Sequence, residues 1–167
     1  MIKKWFFALC RITIVSLSFF IGNLSTVHPV QISGNGNPAL LFIPILLFLA
    51  LFIVNDWIKM LKYLNPKSIS LIVLLFIIAI ALSIGYNLQV DEFYERKDYV
   101  QQVVLERENG MSDPLYLKRV TGIKSTYMSN QLFNFNTLIM YFLLTISIAI
   151  IYILWTRREV ATSSRHS

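Results

Sequence analysis

Four long apolar runs dominate the pattern of hydrophobic and polar positions along the chain. The runs cover residues 5–24, 39–58, 69–86 and 135–155, and each holds 18 to 21 residues. At a rise of about 1.5 Å per residue, a helix of this length matches the roughly 30 Å hydrocarbon core of a bilayer. The pattern predicts an all-α integral membrane protein in which residues 1–167 form a single four-span membrane domain.

The connections between these spans contain typical helix breakers. Gly34 and Asn35 favour turns in the first connection, Pro38 suits the first turn of span two, and Pro66 lies before span three. Pro44 removes one backbone donor inside span two and is expected to bend it. Because most connections are short, consecutive spans should run in opposite directions as an up-and-down bundle.

The distribution of basic residues predicts the orientation. Lysine and arginine number two before span one, none in the first connection, three in the second, six in residues 87–134 and three after span four. The six in residues 87–134 are balanced by seven acids. The positive-inside rule therefore places both termini in the cytoplasm and residues 87–134 outside. Trp5, Trp57 and Trp155 lie beside the basic clusters, where a tryptophan belt at the cytoplasmic interface is expected.

Composition supports the membrane class and excludes others. The chain is 56% hydrophobic and only 14% charged, whereas soluble domains contain about 25% charged residues. The net charge of +6 lies mostly beside apolar runs, so it favours membrane lipid as a partner and gives no support to nucleic-acid binding. A single cysteine, Cys10, cannot form an intrachain disulfide. We expect a multi-pass protein of the cell membrane.

Residues 87–134 form the only long polar segment. On a helical wheel, residues 91–108 sort into an apolar stripe, basic flanks and an acidic opposite face, which predicts an extracytoplasmic amphipathic helix. Asp113 and Pro114 then predict a second, shorter helix, although the alternation of Leu115 and Leu117 leaves a strand as the alternative. The candidate interaction face consists of the stripe and its flanks: Phe93, Arg96, Lys97, Val100, Val104 and Arg107.

Three surfaces could cover this face. A stripe with basic flanks suits an anionic lipid leaflet, it suits a partner protein, and it suits the outer ends of the chain's own spans. Of these three surfaces, we favour the chain itself about as strongly as the other two together, since most amphipathic helices pack against their own protein.

The chain lacks the residue constellations that identify common reactions. No acid lies in the middle of a span, as proton-driven or sodium-driven transport usually requires, and the serines within the spans have no histidine or carboxylate to activate them. His28 lies in a polar connection far from the other histidine, so a solvated side chain is favoured over a metal ligand. We therefore expect no enzyme, no catalytic residue, and no cofactor or metal.

Arg11 is the only charged residue well inside a span. It lies about 9 Å along span one from Trp5, at the end where span two returns near Asp56. The arginine could reach lipid phosphates, or it could pair with Asp56 and fix the packing of spans one and two. Arg11 and Asp56 are thus the candidate structural ion pair.

These patterns favour a protein that acts by interaction. The leading hypothesis is an accessory, regulatory or immunity-type subunit that binds another membrane or extracytoplasmic protein through residues 87–134. A small oligomeric transporter or channel is the main alternative, and a membrane enzyme with its site in the outer segment is the second. Homo-oligomerisation stays open.

Overall fold

The computed structural model describes residues 2–31, 36–110 and 112–163, with side chains for 6–31, 36–110 and 112–159. Gly34 and Asn35, which we predicted to form turns, lie outside these ranges. Every regular element in the described residues is helical, so the strand considered for Leu115 and Leu117 is wrong. The α-helices are α1 (Ile2–Leu24), α2 (Phe42–Leu64), α3 (Ser68–Arg107), α4 (Pro114–Val120), α5 (Ser129–Leu132) and α6 (Phe135–Ser163), with 3-10 helices at Pro38–Leu41 and Thr126–Met128.

Four of these segments are long and apolar enough to cross a membrane. They are Phe6–Leu24, Pro38–Leu64, Ser68–Arg107 and Phe135–Glu159, and each contains one of the four predicted runs almost entirely. The all-helical class and the number of candidate spans are therefore confirmed. We call these four helices, without the cap residues that are defined below, the membrane part.

Helix α6 is central in the membrane part. It packs against both α2 and α3, while α1 packs mainly against α2. Ala149, Ile150 and Ile153 of α6 are buried with Leu71 and Ile78 of α3, and leucine and isoleucine side chains of α2 complete this cluster. Large apolar side chains cover the outer faces of all four helices, as expected of surfaces that contact lipid.

The longest helix, α3, corrects one prediction. A separate amphipathic helix was expected after span three, but the residues of span three and those of the amphipathic segment form one helix, which continues without a break from Ser68 to Arg107. The polar residues after Tyr86 do not stop the helix, since none of those within α3 is proline. Gln89 donates from Nε2 to the backbone oxygen of Gln131 at 2.9 Å. The loss of apolar character therefore marks a change of surroundings along one helix.

The end of α3 is set by local backbone conformation. Asn109 and Gly110 both have positive φ, 52° and 78°, and the Gly110 N–H donates to the Leu105 carbonyl at 2.8 Å. This arrangement satisfies carbonyls that the last turn leaves open, and glycine adopts it without steric cost. The chain then reverses, and Asp113 begins α4 by accepting a bond from Leu115 N at 3.0 Å.

Two prolines mark the start of the second span. Asn37 caps the 3-10 helix by accepting from Ala39 N at 3.0 Å, and Pro38 occupies its first turn, as predicted. Pro44 is the third residue of α2. The helix continues through Pro44 to Leu64, and the bend expected at this proline stays a prediction.

Polar residues at one end of the helices form a compact layer that we call the cap: residues 25–31, 36–37, 87–110 and 112–134. Val100, Val104, Val120, Tyr127 and Met128 form its buried core. The first connection is tied into the cap by a backbone bond from Val27 N to Thr126 O at 3.2 Å. Two stretches that are far apart in sequence, the first connection and the segment after Tyr86, thus fold together at this end.

The cap is joined to the membrane part through Phe133. Its buried ring lies against Gly22 of α1, edge-on to Phe19 and Phe42. A Cβ at Gly22 would come within 2.5 Å of the Phe133 ring, so only glycine allows this approach. Asn23 strengthens the joint by donating to the Phe133 carbonyl at 2.6 Å.

Candidate functional site

The apolar stripe of the candidate interaction face points into the protein. Val100 and Val104 are both 0% exposed and pack on Val120 of α4 and on Tyr127 and Met128. Of the three surfaces that the sequence left open, the structure places the chain's own cap on this stripe. These valines cannot contact a partner while the cap is folded.

The two arginines of the same face are also engaged within the cap. Arg96 donates from Nε to the Tyr127 carbonyl at 3.1 Å, and its guanidinium lies 5.2 Å from the centroid of the Tyr99 ring. Burial is the main influence on Arg96 and lowers its pKa. Through the hydrogen bond to Tyr127, Arg96 holds the Thr126–Met128 turn against α3.

Arg107 fastens the far end of α3. It donates to the Tyr116 hydroxyl at 2.9 Å, to the Pro29 carbonyl at 3.3 Å and to the Glu108 carboxylate at 3.0 Å. The bond with Tyr116 and then that with Glu108 raise the pKa of Arg107. The pKa of Glu108 is lowered, first by the nearby Ser112 hydroxyl and then by Arg107. One side chain therefore connects α3, α4 and the first connection.

The remaining two residues of the predicted face border an open groove between α3 and α4. Phe93 and Lys97 line it from α3, while Pro114, Leu117 and Lys118 line it from α4. The groove has a volume of about 570 Å³. This edge of the predicted interaction face is therefore open to a ligand.

The opposite side of α3 forms the exposed surface of the cap. Its residues recur every three or four positions, so they line one face of the helix, and all of them are exposed. We call this face the acidic stripe: Asp91, Glu95, Asp98, Gln102 and Glu106. Tyr94 and Tyr99, which are 56% and 39% exposed, border the stripe on its two sides.

A chain of amide side chains lies where the cap meets the membrane part, and sequence reasoning missed it. Gln89 Oε1 accepts from Asn134 Nδ2 at 3.0 Å and from Asn136 Nδ2 at 3.2 Å, while Gln89 Nε2 donates to Gln131 Oε1 at 3.1 Å. Asn136 also donates to the Gly85 carbonyl at 2.8 Å. The sequence shows amide side chains at position 89 and again at positions 131–136, but their spacing does not predict which of them bond to each other.

At the other end of the helices, the structure brings Arg11 and Asp56 together. Arg11 Nη1 lies 2.5 Å from Asp56 Oδ2, and the two side chains are 28% and 20% exposed. The guanidinium also lies 5.1 Å from the centroid of the Phe52 ring. Beside the pair, a mainly apolar groove of about 510 Å³ runs between α1 and α2.

Trp57, which was expected at the membrane interface, makes contacts inside the protein. It is half-buried, packs on both apolar clusters of the membrane part and donates from Nε1 to Thr145 Oγ1 at 3.2 Å. Thr145 in turn donates to Phe142 O at 2.9 Å, and Ser147 donates to Leu143 O at 2.8 Å. Trp57 therefore links α2 to α6. Trp155, by contrast, is 62% exposed.

The described residues contain no cluster of three or more histidine, cysteine or acidic side chains that could hold a metal ion. His28 lies in the exposed part of the cap, with Nε2 at 3.1 Å from the Tyr99 hydroxyl. It therefore joins the first connection to α3.

Comparison of the chain with protein-family models, with curated proteins and with solved structures gave no match.

Proposed function

We propose that the protein acts by binding another membrane or extracytoplasmic protein, as an accessory, regulatory or immunity-type subunit, and that the acidic stripe is its contact surface. One observation carries the proposal: every residue of the stripe is exposed, and it lies on a helix whose opposite side is buried in the cap. A surface of this kind is presented in a fixed shape, so little ordering free energy is lost on binding.

The charges of the stripe support a basic partner. Asp91 and Glu95 are four residues apart, and Glu95 and Asp98 are three apart, spacings at which like charges repel on a helix. No lysine or arginine in the described part of the chain forms an ion pair with these acids. A basic surface would relieve the repulsion, and Tyr94 and Tyr99 would add aromatic contacts of the kind enriched at protein interfaces.

This function includes an orientation. Lys59, Lys62, Lys67, Arg157 and Arg158 lie at the end of the helices away from the cap, and the positive-inside rule assigns that end to the cytoplasm. Both termini are then cytoplasmic, and the cap faces outward from the cell membrane.

Labelling of intact cells tests the orientation. In a background that lacks Cys10, a membrane-impermeant maleimide should modify the exposed Asp98→Cys. The equally exposed Lys62→Cys should react only after permeabilisation. Modification of Lys62→Cys but not of Asp98→Cys in intact cells would invert the orientation.

Site-specific photo-crosslinking tests the contact surface. A benzophenone side chain at Gln102, within the stripe, should form an adduct with one protein. The lipid-exposed Ile77 is the matched position for background. Charge reversal by Glu95→Lys with Asp98→Lys should abolish the adduct because it reverses the complementarity, whereas Lys124→Glu outside the stripe should leave it unchanged. An adduct that survives charge reversal of the stripe contradicts this function.

A further inference from the structure

The groove between α3 and α4 combines cationic and apolar walls. Lys97 and Lys118 line it together with Gln101, and no acidic side chain is among its lining residues. Phe93, Pro114 and Leu117 supply the apolar wall. The groove therefore offers an electropositive site next to a hydrophobic one.

The fold itself brings the two lysines together. Lys97 lies on α3 and Lys118 on α4, and these helices meet because Val100 and Val104 are buried against Val120. Two ammonium groups that share a groove repel each other unless an anion lies between them. Among the described residues, none that lines the groove carries a carboxylate to offset that repulsion.

The polar groups of the groove also remain available for a ligand. Among the described residues, the side chains of Lys97, Gln101 and Lys118 form no hydrogen bond or ion pair. The Lys97 side chain has only a ring contact, with its Nζ 5.9 Å from the Tyr94 centroid. Thr121 has already committed its hydroxyl proton to the Leu117 carbonyl at 2.8 Å. The free donors are therefore two ammonium groups and one amide.

The height of the groove argues against lipid headgroups as its ligand. Twenty residues of α3 from Ser68 cross about 30 Å of hydrocarbon and end near Asn87. Lys97 then lies about 15 Å farther along the helix axis, while the headgroup layer is only about 5 to 7 Å thick. The groove thus opens into water.

We infer that this groove binds the C-terminus of a peptide that ends in an apolar residue. The terminal carboxylate lies between Lys97 and Lys118, the last side chain packs on Phe93 and Leu117, and Gln101 bonds the last peptide group. A C-terminal residue carries a carboxylate and a side chain on the same Cα, which matches a groove whose cationic and apolar walls lie side by side. This site is separate from the acidic stripe, so either site can fail without the other.

The test uses the full chain in nanodiscs with its lysines isotopically dimethylated, a modification that keeps their charge. N-acetylphenylalanine, a C-terminal residue with a free carboxylate, is the probe, and N-acetylphenylalanine amide is its neutral control. The carboxylate should shift the NMR signals of Lys97 and Lys118 saturably, with an affinity at least about fivefold higher than that of the amide. Lys124, in the same cap but outside the groove, and Lys62 at the far end are internal references.

Substitutions assign the effect to the groove. Lys97→Met and Lys118→Met should each weaken binding at least about fivefold, whereas Lys97→Arg should retain it because the positive charge remains. Lys124→Met should change nothing. These side chains are at least partly exposed, so the melting temperature of each variant should equal that of the parent.

Three results would overturn the inference. The first is equal binding of the carboxylate and the amide, or no saturable shift with either. The second is a shift of Lys124 as large as that of Lys118, which would indicate nonspecific attraction to the cap. The third is a response of Lys97 and Lys118 to phosphatidylglycerol in the nanodisc but not to the carboxylate, which would identify a headgroup site. Loss of the stripe's crosslink alone leaves this inference intact.

Discussion

Helix α3 lies in two different surroundings, and its two parts show how each determines packing. In the membrane part, Leu71, Ile78 and Gly85 are buried, each seven residues from the next, along one narrow seam toward α6. In the cap, Val100 and Val104 are buried one turn apart against the cap core. Buried residues are apolar or small in both parts.

The exposed residues are what differ. Around the membrane seam they are isoleucine, valine and phenylalanine, whereas around the cap core they are mainly aspartate, glutamate and glutamine. The polarity of the exposed side chains therefore follows the surrounding solvent. Exposed and buried side chains differ in polarity only where the surroundings are water. In the membrane part, lipid and protein neighbours favour the same residue types, so the sequence does not reveal which side is packed.

The strongest test of this contrast places a charge in the cap core. Val104→Asp should destabilise the cap by more than about 4 kcal/mol, because an unpaired carboxylate would be buried in an apolar cluster. The cap should then become sensitive to protease near Gly110 while the membrane helices persist. Gln102→Asp on the exposed face is the matched control and should change stability little. Equal protease sensitivity of the two variants would mean that the two faces of α3 are not distinct.

A second test addresses the joint between the two regions. Gly22→Ala should cost about 1 to 3 kcal/mol in thermal unfolding, because the new methyl group overlaps the Phe133 ring. Phe133→Leu should recover part of that loss when it is combined with Gly22→Ala. Gly36→Ala, where no atom lies within 4 Å of the new Cβ, is the control. A Gly22→Ala protein as stable as the parent would show that the cap rests only loosely on α1.

A third test asks how much a polar contact contributes in the membrane part. Arg11→Leu and Asp56→Leu should each lower stability in detergent, and the double variant should show a coupling of about 0.5 to 3 kcal/mol. Asn55→Leu, combined with Arg11→Leu, provides an additive control since Asn55 is an exposed neighbour of Asp56. Additive effects of Arg11→Leu and Asp56→Leu would identify Arg11 as an anchor to lipid phosphates instead.

The smallest expected effect concerns acid sensitivity of the cap. Because the pKa of Glu108 is lowered in the folded state, its charge stabilises the cap above the ordinary glutamate pKa, and this contribution disappears as pH falls through the lowered value. The melting temperature of Glu108→Gln should therefore lie below that of the parent at neutral pH and converge with it in acid. Glu106→Gln, on the exposed stripe, should show no such convergence. A constant difference across the titration would contradict the role of Glu108.

The sequence predicted some parts of this architecture well, for physical reasons. Apolar runs of membrane length identified the four helices, and Asp113 with Pro114 identified the start of α4. Arg11 and Asp56 could be named as a candidate pair beside the alternative of lipid phosphates, because few charges lie in or near the first two runs and the number of combinations was small. Where a charged residue has few other charged residues near it, only a few partners are possible for it.

Other parts could not be predicted from composition. Polar residues follow span three, yet they continue the helix, and Gln89 bonds to Gln131 of α5 and to Asn136 of α6. Trp57 was assigned to an interface by its type, although Thr145 provides an acceptor for it on another helix. The candidate interaction face was predicted as a set, but an apolar stripe does not specify whether a partner or the chain itself covers it.

The unbroken course of α3 gives the protein a mechanical property. A rod of about 20 residues beyond the bilayer extends about 30 Å, so tilting the whole helix by about 10° would move its tip sideways by about 5 Å. Helices adjust their tilt to bilayer thickness, and a helix without a break transmits that adjustment along its full length. We therefore expect the position of Arg107 relative to the bilayer to depend in part on the thickness of the lipid around Ile77.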